Sequence, residues 1–306
     1  MWVALAFVSA FFLGFYDVAK KKSLAGNPVP AVLFLNTLFC TLIFIPFLIT
    51  GEISPQITAH NSINPKVYPH ILVIIKAFIV LSSWIMGYYA LKHLPITITG
   101  PINATRPVLV LVGAVVLFNE KLNLMQWGGV TITLLSLFLL SLSGKKEGID
   151  FKNNKWIFIL FGAVLMGAVS GLYDKFILKQ LPPLFVQSWF NVYQMVIMGI
   201  ILFFINRYSK KNSNGKSCNK LQWSWWIPLI SIFISTADFA YYYALSHEEA
   251  LIAVISMIRR GSVVISFTAG ALIFREKNLK AKALDLVLIL IGLIMLAFSQ
   301  MPTPLQ

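Results

Sequence analysis

The chain contains ten apolar runs of about bilayer length, separated by short segments rich in turn-forming and charged residues. A helix needs about 20 mostly apolar residues to cross the hydrocarbon core of a membrane, so these runs predict membrane-spanning helices. Hydrophobic residues make up 58% of the chain and charged residues only 12%, which is too little polar surface for a water-soluble domain. The sequence therefore predicts an all-α integral membrane protein with ten transmembrane helices. The runs cover residues 2–19, 30–50, 69–91, 95–118, 124–143, 156–178, 183–206, 226–246, 250–274 and 282–300.

Short motifs shared by the two halves of the chain indicate an internal duplication. Four motifs recur in the same order, at offsets of 157, 155, 154 and 156 residues. A common apolar composition explains recurring Leu and Phe, but not recurring Asp, Asn, His and Glu. We therefore expect two five-helix repeats, over residues 1–148 and 149–306. Because five is odd, the second repeat enters the membrane from the opposite side, and the repeats are inverted. The motifs are Gly14-Phe15-Tyr16-Asp17 with Gly171-Leu172-Tyr173-Asp174, Phe34-Leu35-Asn36 with Trp189-Phe190-Asn191, Tyr88-Tyr89-Ala90-Leu91-Lys92-His93 with Tyr242-Tyr243-Ala244-Leu245-Ser246-His247, and Leu117-Phe118-Asn119-Glu120-Lys121 with Ile273-Phe274-Arg275-Glu276-Lys277.

Basic residues are unevenly distributed between alternate connections of the predicted helices. The odd-numbered connections hold seventeen lysines and arginines, whereas the even-numbered connections hold four and the termini none. Basic residues near helix ends are retained on the cytoplasmic side, so this bias predicts that both termini lie outside. The net charge of +14 is then a charge of the cytoplasmic face, which attracts anionic lipid headgroups and does not indicate nucleic-acid binding.

Two further features, together with the repeats, resemble a known family. One is the Pro-rich stretch from Leu94-Pro95 to Arg106-Pro107 in the fourth predicted helix, and the other is the pair of Phe-x-Glu turns that end at Glu120 and Glu276. Over its whole length the chain resembles the EamA-type branch of the drug/metabolite transporter superfamily. The resemblance implies a basket of ten helices around a central cavity, lined mainly by the third, fourth, eighth and ninth helices. It also implies export of amino acids or other metabolites, and termini on the inner side, which is the opposite of the charge-based prediction.

Two arginines are predicted near the middle of the membrane. An intramembrane charge costs about 2.5–3.5 kcal/mol on insertion scales, so such a residue indicates pairing, hydration or function. In the fourth predicted helix, Thr99, Asn103 and Arg106 share one face, and in the ninth, Ser256 and Arg260 do so. The offset of the Tyr-Tyr-Ala-Leu motif makes Arg260 the repeat partner of Arg106. The two guanidinium groups predict a cationic cavity for a carboxylate or phosphate, with Asn103 beside them. The alternative is neutralisation by a resident carboxylate or by helix-end carbonyls.

Asp238 lies at about mid-membrane in the eighth predicted helix. It is a candidate proton-coupling residue, and the alternative is that it is the ion-pair partner of Lys76 or Arg260. Lys76 lies about two turns into the third predicted helix, where it either takes part in coupling within the cavity or extends its amine toward the membrane surface. Aromatic residues in these helices either line the cavity or serve only in packing. The candidates for lining it are Trp84, Tyr88 and Tyr242.

For several other residues, the sequence pattern favours structural roles. Asp17 and Asp174 occupy equivalent repeat positions beside lysines, which predicts helix-end salt bridges. Glu120 and Glu276 are predicted to accept hydrogen bonds from free backbone N–H groups of the next helix. Gly167 belongs to a GxxxG pattern that typically lets helices approach closely.

The sequence contains no complete nucleotide-binding loop, and none of the zinc, serine-hydrolase or Cys-x-x-Cys motifs. We therefore expect neither an enzyme nor a protein with a metal or cofactor. The leading hypothesis is a secondary active transporter of small polar or anionic metabolites such as amino acids, working by alternating access in a bacterial inner membrane, with protons as the candidate coupling ion. The alternatives are an antiporter of phosphorylated or nucleotide-linked sugars, which the two arginines would suit, and a lipid flippase subunit that does not itself transport.

Overall fold

The computed structural model describes residues 2–49, 67–109, 124–145, 151–212, 221–247, 252–276 and 279–298. Within these ranges all regular secondary structure is helical, and five helices are long and apolar enough to cross a membrane. This confirms the all-α, membrane-spanning class, whereas not every one of the ten predicted spans is established in this way. The helices are α1 (Trp2–Leu24), α2 (Val29–Ile49), α3 (Tyr68–His93), α4 (Ile96–Ala104), α5 (Leu124–Lys145), α6 (Lys155–Leu178), α7 (Pro183–Asn212), α8 (Trp226–Leu245), α9 (Ile252–Arg260), α10 (Ser262–Leu272) and α11 (Leu279–Phe298).

The most extensive helix contacts join the first half of the chain to the second. Helix α1 packs on α8, and α3 packs on α6. Helix α2 packs on α7, α4 on α10, and α5 on α11. Some of these pairs therefore join segments at equivalent positions of the two repeats. The others, α1 with α8 and α3 with α6, are the same contact with the two repeats exchanged. This packing fits a layout of two related repeats, one in each half of the chain.

Contacts at the helix ends show the direction of each helix. The amine of Lys21, near the end of α1, donates to the carbonyl of Leu91 near the end of α3 (2.6 Å), so α1 and α3 run the same way. Trp156, at the start of α6, stacks on His93 at the end of α3, with ring centroids 3.6 Å apart. Asn27, just after α1, donates to a backbone carbonyl in the segment before α8 (3.0 Å). Helices α6 and α8 thus run against α3 and α1, which is the inverted arrangement predicted from the odd number of helices.

The start of α4 is capped by a residue from the other half of the chain. The carboxylate of Glu276, which follows α10, accepts hydrogen bonds from the backbone N–H of Ile96 (2.8 Å) and of Thr97 (2.9 Å), and from the Thr97 hydroxyl. The prediction that Glu276 caps the next helix in sequence is wrong, because α10 packs beside α4 and brings Glu276 to the start of that helix. Glu120, predicted to act in the same way, lies outside the described residues.

Candidate functional site

A cavity of about 870 Å³ is lined by residues from both halves of the chain. This volume is typical of a small-molecule site. The cavity brings together all eight residues that the sequence singled out for binding or coupling, although their roles stay predictions. Helices α1 and α6 contribute lining residues in addition to the helices that the resemblance implied. The eight residues are Lys76, Trp84, Tyr88, Asn103, Arg106, Asp238, Tyr242 and Arg260.

Two helix breaks lie in the cavity wall, one in each half. Thr105 directly follows α4, and its N–H donates to the carbonyl of Ile102 (3.2 Å). Gly261 separates α9 from α10, and its N–H donates to the carbonyl of Ile258 (3.0 Å). At both breaks, the backbone N–H of the residue three positions after the break residue, Thr105 or Gly261, donates to the carbonyl of that break residue. Pro107 has no N–H and so cannot continue the α-helical pattern after Thr105. Irregular backbone at membrane depth is tolerated where it is buried in protein or lines a cavity, and discontinuous helices often form transporter sites.

The breaks also correct the repeat alignment of the two arginines. Thr105 and Gly261 are equivalent, because their hydrogen-bond patterns match. Arg106 directly follows its break, whereas Arg260 directly precedes its own. The prediction that Arg260 is the repeat partner of Arg106 is therefore wrong, since the connection after the Tyr-Tyr-Ala-Leu motif is two residues longer in the second half. The two guanidinium groups enter one cavity from opposite sides of equivalent breaks.

Neither Arg106 nor Arg260 forms an ion pair with a carboxylate in the part of the chain that the structure describes. The Nε of each is buried and has no hydrogen-bond partner among the described residues. Gly167 of α6 makes room for Arg106, because a β-carbon built at Gly167 would overlap the guanidinium group. The interpretation of Gly167 as a site of close helix approach only was thus incomplete.

Asp238 of α8 forms an ion pair with Arg259 of α9. The Nε of Arg259 also donates to the hydroxyl of Ser9 in α1 (2.9 Å). The prediction that Asp238 pairs with Lys76 or Arg260 is therefore wrong. Successive residues of a helix are about 100° apart, so Arg259 is directed toward α8 and α1, unlike its neighbour Arg260.

Lys76 of α3 is 1% exposed and forms an ion pair with Asp174 of α6. Its amine also lies 4.9 Å from the ring centroids of Phe190 and Tyr242. The prediction that Asp174 forms a helix-end salt bridge with a neighbouring lysine is wrong. Asp174 is buried toward α3 and forms its ion pair across the helix interface. Lys76 is likewise held inside the protein and does not extend to the membrane surface.

A third ion pair lies in the same cavity. Lys20 pairs with Asp17 at 2.7 Å, which confirms the local salt bridge predicted for Asp17. The Lys20 amine lies 4.3 Å from the ring centroid of Tyr16 and 5.3 Å from that of Tyr88. The Tyr88 hydroxyl accepts a hydrogen bond from the side chain of Asn36 (3.2 Å), which fixes the position of the ring.

Sequence reasoning did not select several residues that line this cavity. The equivalent repeat positions of Asp17 and Asp174 were a usable signal, because both acids reach the cavity. The aromatic residues carried no such signal, since an aromatic side chain in a membrane helix most often serves packing. The missed residues are Tyr16, Asp17, Lys20, Asp174, Phe190, Tyr241 and Arg259.

Comparison with known proteins agrees with the two-half architecture. The EamA-like transporter family matches the chain twice, over residues 1–142 and 154–298. No curated protein matches the chain by sequence. Among solved structures, 28 chains match. One crystal structure aligns with a TM-score of 0.64 over 97% of this chain and 96% of that chain at 14% identity, a likeness of fold alone. The twofold match confirms the resemblance found in the sequence: the chain is an integral membrane protein that belongs to the EamA-like transporter family of the drug/metabolite transporter superfamily.

Proposed function

We propose that the protein is a secondary active transporter that moves a small polar or anionic metabolite, such as an amino acid, by alternating access. The observation that carries this proposal is the pair Arg106 and Arg260, whose Nε atoms are buried without a partner among the described residues, in a cavity lined by both halves of the chain. A buried cation without a counter-charge is unfavourable, and a bound anion removes that penalty. Export is the direction that the family resemblance implies.

In the proposed binding step, a carboxylate of the substrate lies between Arg106 and Arg260 and accepts their hydrogen bonds. Asn103, in the last turn of α4, lines the same cavity and provides an amide beside this position. Trp84 supplies an apolar wall, and it already packs edge-on against Phe190 with ring centroids 6.4 Å apart. Tyr88 and Tyr242 line the same cavity and complete this wall.

In the proposed transport step, the five-helix halves 1–148 and 149–306 rock relative to each other about the binding site. The breaks at Thr105 and Gly261 make this motion feasible, because a helix bends most readily where its hydrogen-bond pattern is interrupted. The arginines lie next to these breaks. Substrate binding is thereby coupled to the region that changes shape.

Asp238 is the proposed coupling carboxylate. When Asp238 takes up a proton, its ion pair with Arg259 is lost and a further cation becomes available to the substrate. Lys76 is proposed to take part through its pair with Asp174 in the same cavity. Protons are the proposed coupling ion, and we place the protein in a bacterial inner membrane.

A second candidate within the transporter class is an antiporter of phosphorylated or nucleotide-linked sugars. The same two guanidinium groups favour it, because guanidinium groups bind phosphate as well as carboxylate. No contact in the described part of the chain specifically favours a lipid flippase subunit.

Counterflow in proteoliposomes tests the proposed function. The vesicles are loaded with unlabelled amino acids, other organic anions, sugar phosphates or cationic drugs, and uptake of the same labelled compound is followed. We expect labelled exchange for an anionic or zwitterionic class and none for the cationic drugs. Exchange of no compound would contradict the transporter proposal.

A further inference from the structure

We propose that the substrate carries two negative charges, as a dicarboxylate or a phosphate monoester does. The inference rests on the proposed transport function and narrows its substrate class. It follows from the balance of charged groups around the cavity, in which two arginines with a buried Nε have no counter-charge among the described residues.

The acids that line the described cavity are all occupied. Asp17, Asp174 and Asp238 each form one ion pair, with partners that also line the cavity. These three pairs are internally neutral. They therefore exert little net electrostatic attraction or repulsion on a solute that enters the cavity.

The remaining lining cations differ in their exposure. Lys175 and Lys179 are exposed, so water and salt screen their charges. Arg106 and Arg260 instead have a buried Nε without a partner among the described residues. The interior of the cavity, where water and salt screen charges less, thus keeps a surplus of two positive charges among the described residues, both on guanidinium groups.

These two charges also interact with each other. Arg106 and Arg260 line the same cavity and carry like charges, which repel, and Asp238 pairs with Arg259 and not with Arg260. A monoanion relieves part of this repulsion and leaves one guanidinium without a counter-charge. A zwitterion brings an ammonium group into a positive site. A dianion neutralises both guanidinium groups and adds no cation.

The placement of the two arginines suits one solute with two oxyanion groups or one doubly charged group. Arg106 lies after the break in the first half, and Arg260 lies before the break in the second. A dianion held by both residues would join the two halves of the protein across the cavity. Binding of both negative charges of the dianion would then favour the closed, occupied state that alternating access requires.

Binding can be measured separately from transport, by the rise in the thermal unfolding midpoint of the purified, detergent-solubilised protein. The probes at about pH 8, where a phosphate monoester is doubly charged, are succinate, glycerol 3-phosphate, glutamate and glutamine. We expect succinate or glycerol 3-phosphate to bind about tenfold or more tightly than glutamate, and glutamine to bind least. The succinate and glycerol 3-phosphate arms show whether the dianion is a dicarboxylate or a phosphate monoester.

Variants link this preference to the two arginines. Arg106→Gln and Arg260→Gln should each reduce dianion affinity by about 30-fold or more, and should bring it close to the affinity for glutamate. Arg207→Gln removes an exposed arginine of α7 and serves as the matched control, with no expected change.

Equal or tighter binding of glutamine than of both dianions would overturn the dianion proposal, even if counterflow of glutamine supports transport. A dianion preference that survives in Arg106→Gln and Arg260→Gln would overturn it as well. Arginine-dependent binding of dianions without any counterflow would support the dianion site and contradict the transport function.

Discussion

The guanidinium group of Arg106 occupies the space that a side chain at Gly167 would fill. A β-carbon built on Gly167 would overlap three atoms of that group. Helix α6 thus positions the arginine by the absence of a side chain, and it does so next to the break that ends α4. The relationship makes Gly167 a positioning residue for the proposed anion site.

Gly167→Ala should therefore displace the Arg106 guanidinium and weaken anion binding, by at least about tenfold if the guanidinium loses its aligned hydrogen bonds to the anion. Gly171→Ala, four residues later in α6, is the matched control, because its β-carbon would meet no atom within 4 Å. Both changes add the same methyl group and raise helix propensity equally. The measurement is the ligand-induced rise in unfolding midpoint for each variant, and equal rises would contradict the positioning role.

The buried pair Lys76–Asp174 predicts strongly non-additive effects on stability. Lys76→Met alone, or Asp174→Leu alone, leaves one uncompensated buried charge and should destabilise the protein by about 3–5 kcal/mol. The double variant Lys76→Met/Asp174→Leu leaves no charge and should be more stable than either single variant. Thermal unfolding in detergent checks this order. A double variant as unstable as the two single effects combined would show that the pair does not act as a unit.

Asp238 provides a test of proton coupling. If it carries the coupled proton, Asp238→Asn should abolish substrate accumulation driven by an imposed pH gradient, while counterflow at equal pH on both sides continues. Asp17→Asn removes the acid of another ion pair in the cavity and should leave gradient-driven accumulation in place. Accumulation by Asp238→Asn at the wild-type level would exclude the coupling role.

The cap on α4 predicts a local effect. Glu276→Ala removes the acceptor for the N–H groups of Ile96 and Thr97, and loss of a helix cap costs about 1 kcal/mol. Amide hydrogen exchange at residues 96 and 97 should accelerate, whereas Glu276→Gln, which keeps a carbonyl oxygen, should show a smaller effect. Unchanged exchange in Glu276→Ala would mean that another group satisfies these donors.

Much of the architecture was predictable, because it depends on patterns that the sequence displays directly. Apolar runs predict the helices, and recurring motifs such as Asn36 with Asn191 predict the two halves. The odd number of helices in each half predicts their inversion. The cavity residues were found because a charged group such as Arg106 is costly in a membrane unless it is paired, hydrated or functional.

The pairing of those charges was not predictable. Asp238 had several deep cations within possible reach, and its choice of Arg259 over Arg260 depends on how α9 is rotated where it ends. The true partner of Asp174 lies on another helix, so the adjacent lysines were misleading. The two-residue difference between the halves likewise hid the equivalence of Thr105 and Gly261, which only their hydrogen bonds reveal.

The most direct test of the account compares counterflow of an anionic substrate by wild-type protein, Arg106→Ala and Arg207→Ala in proteoliposomes. Arg106 lines the cavity, whereas Arg207 is an exposed arginine of α7. The account predicts that Arg106→Ala abolishes counterflow although the protein remains folded, as shown by an unchanged elution volume and a cooperative thermal transition. Arg207→Ala should exchange at the wild-type rate. Normal counterflow by folded Arg106→Ala would contradict the cationic site between the two halves.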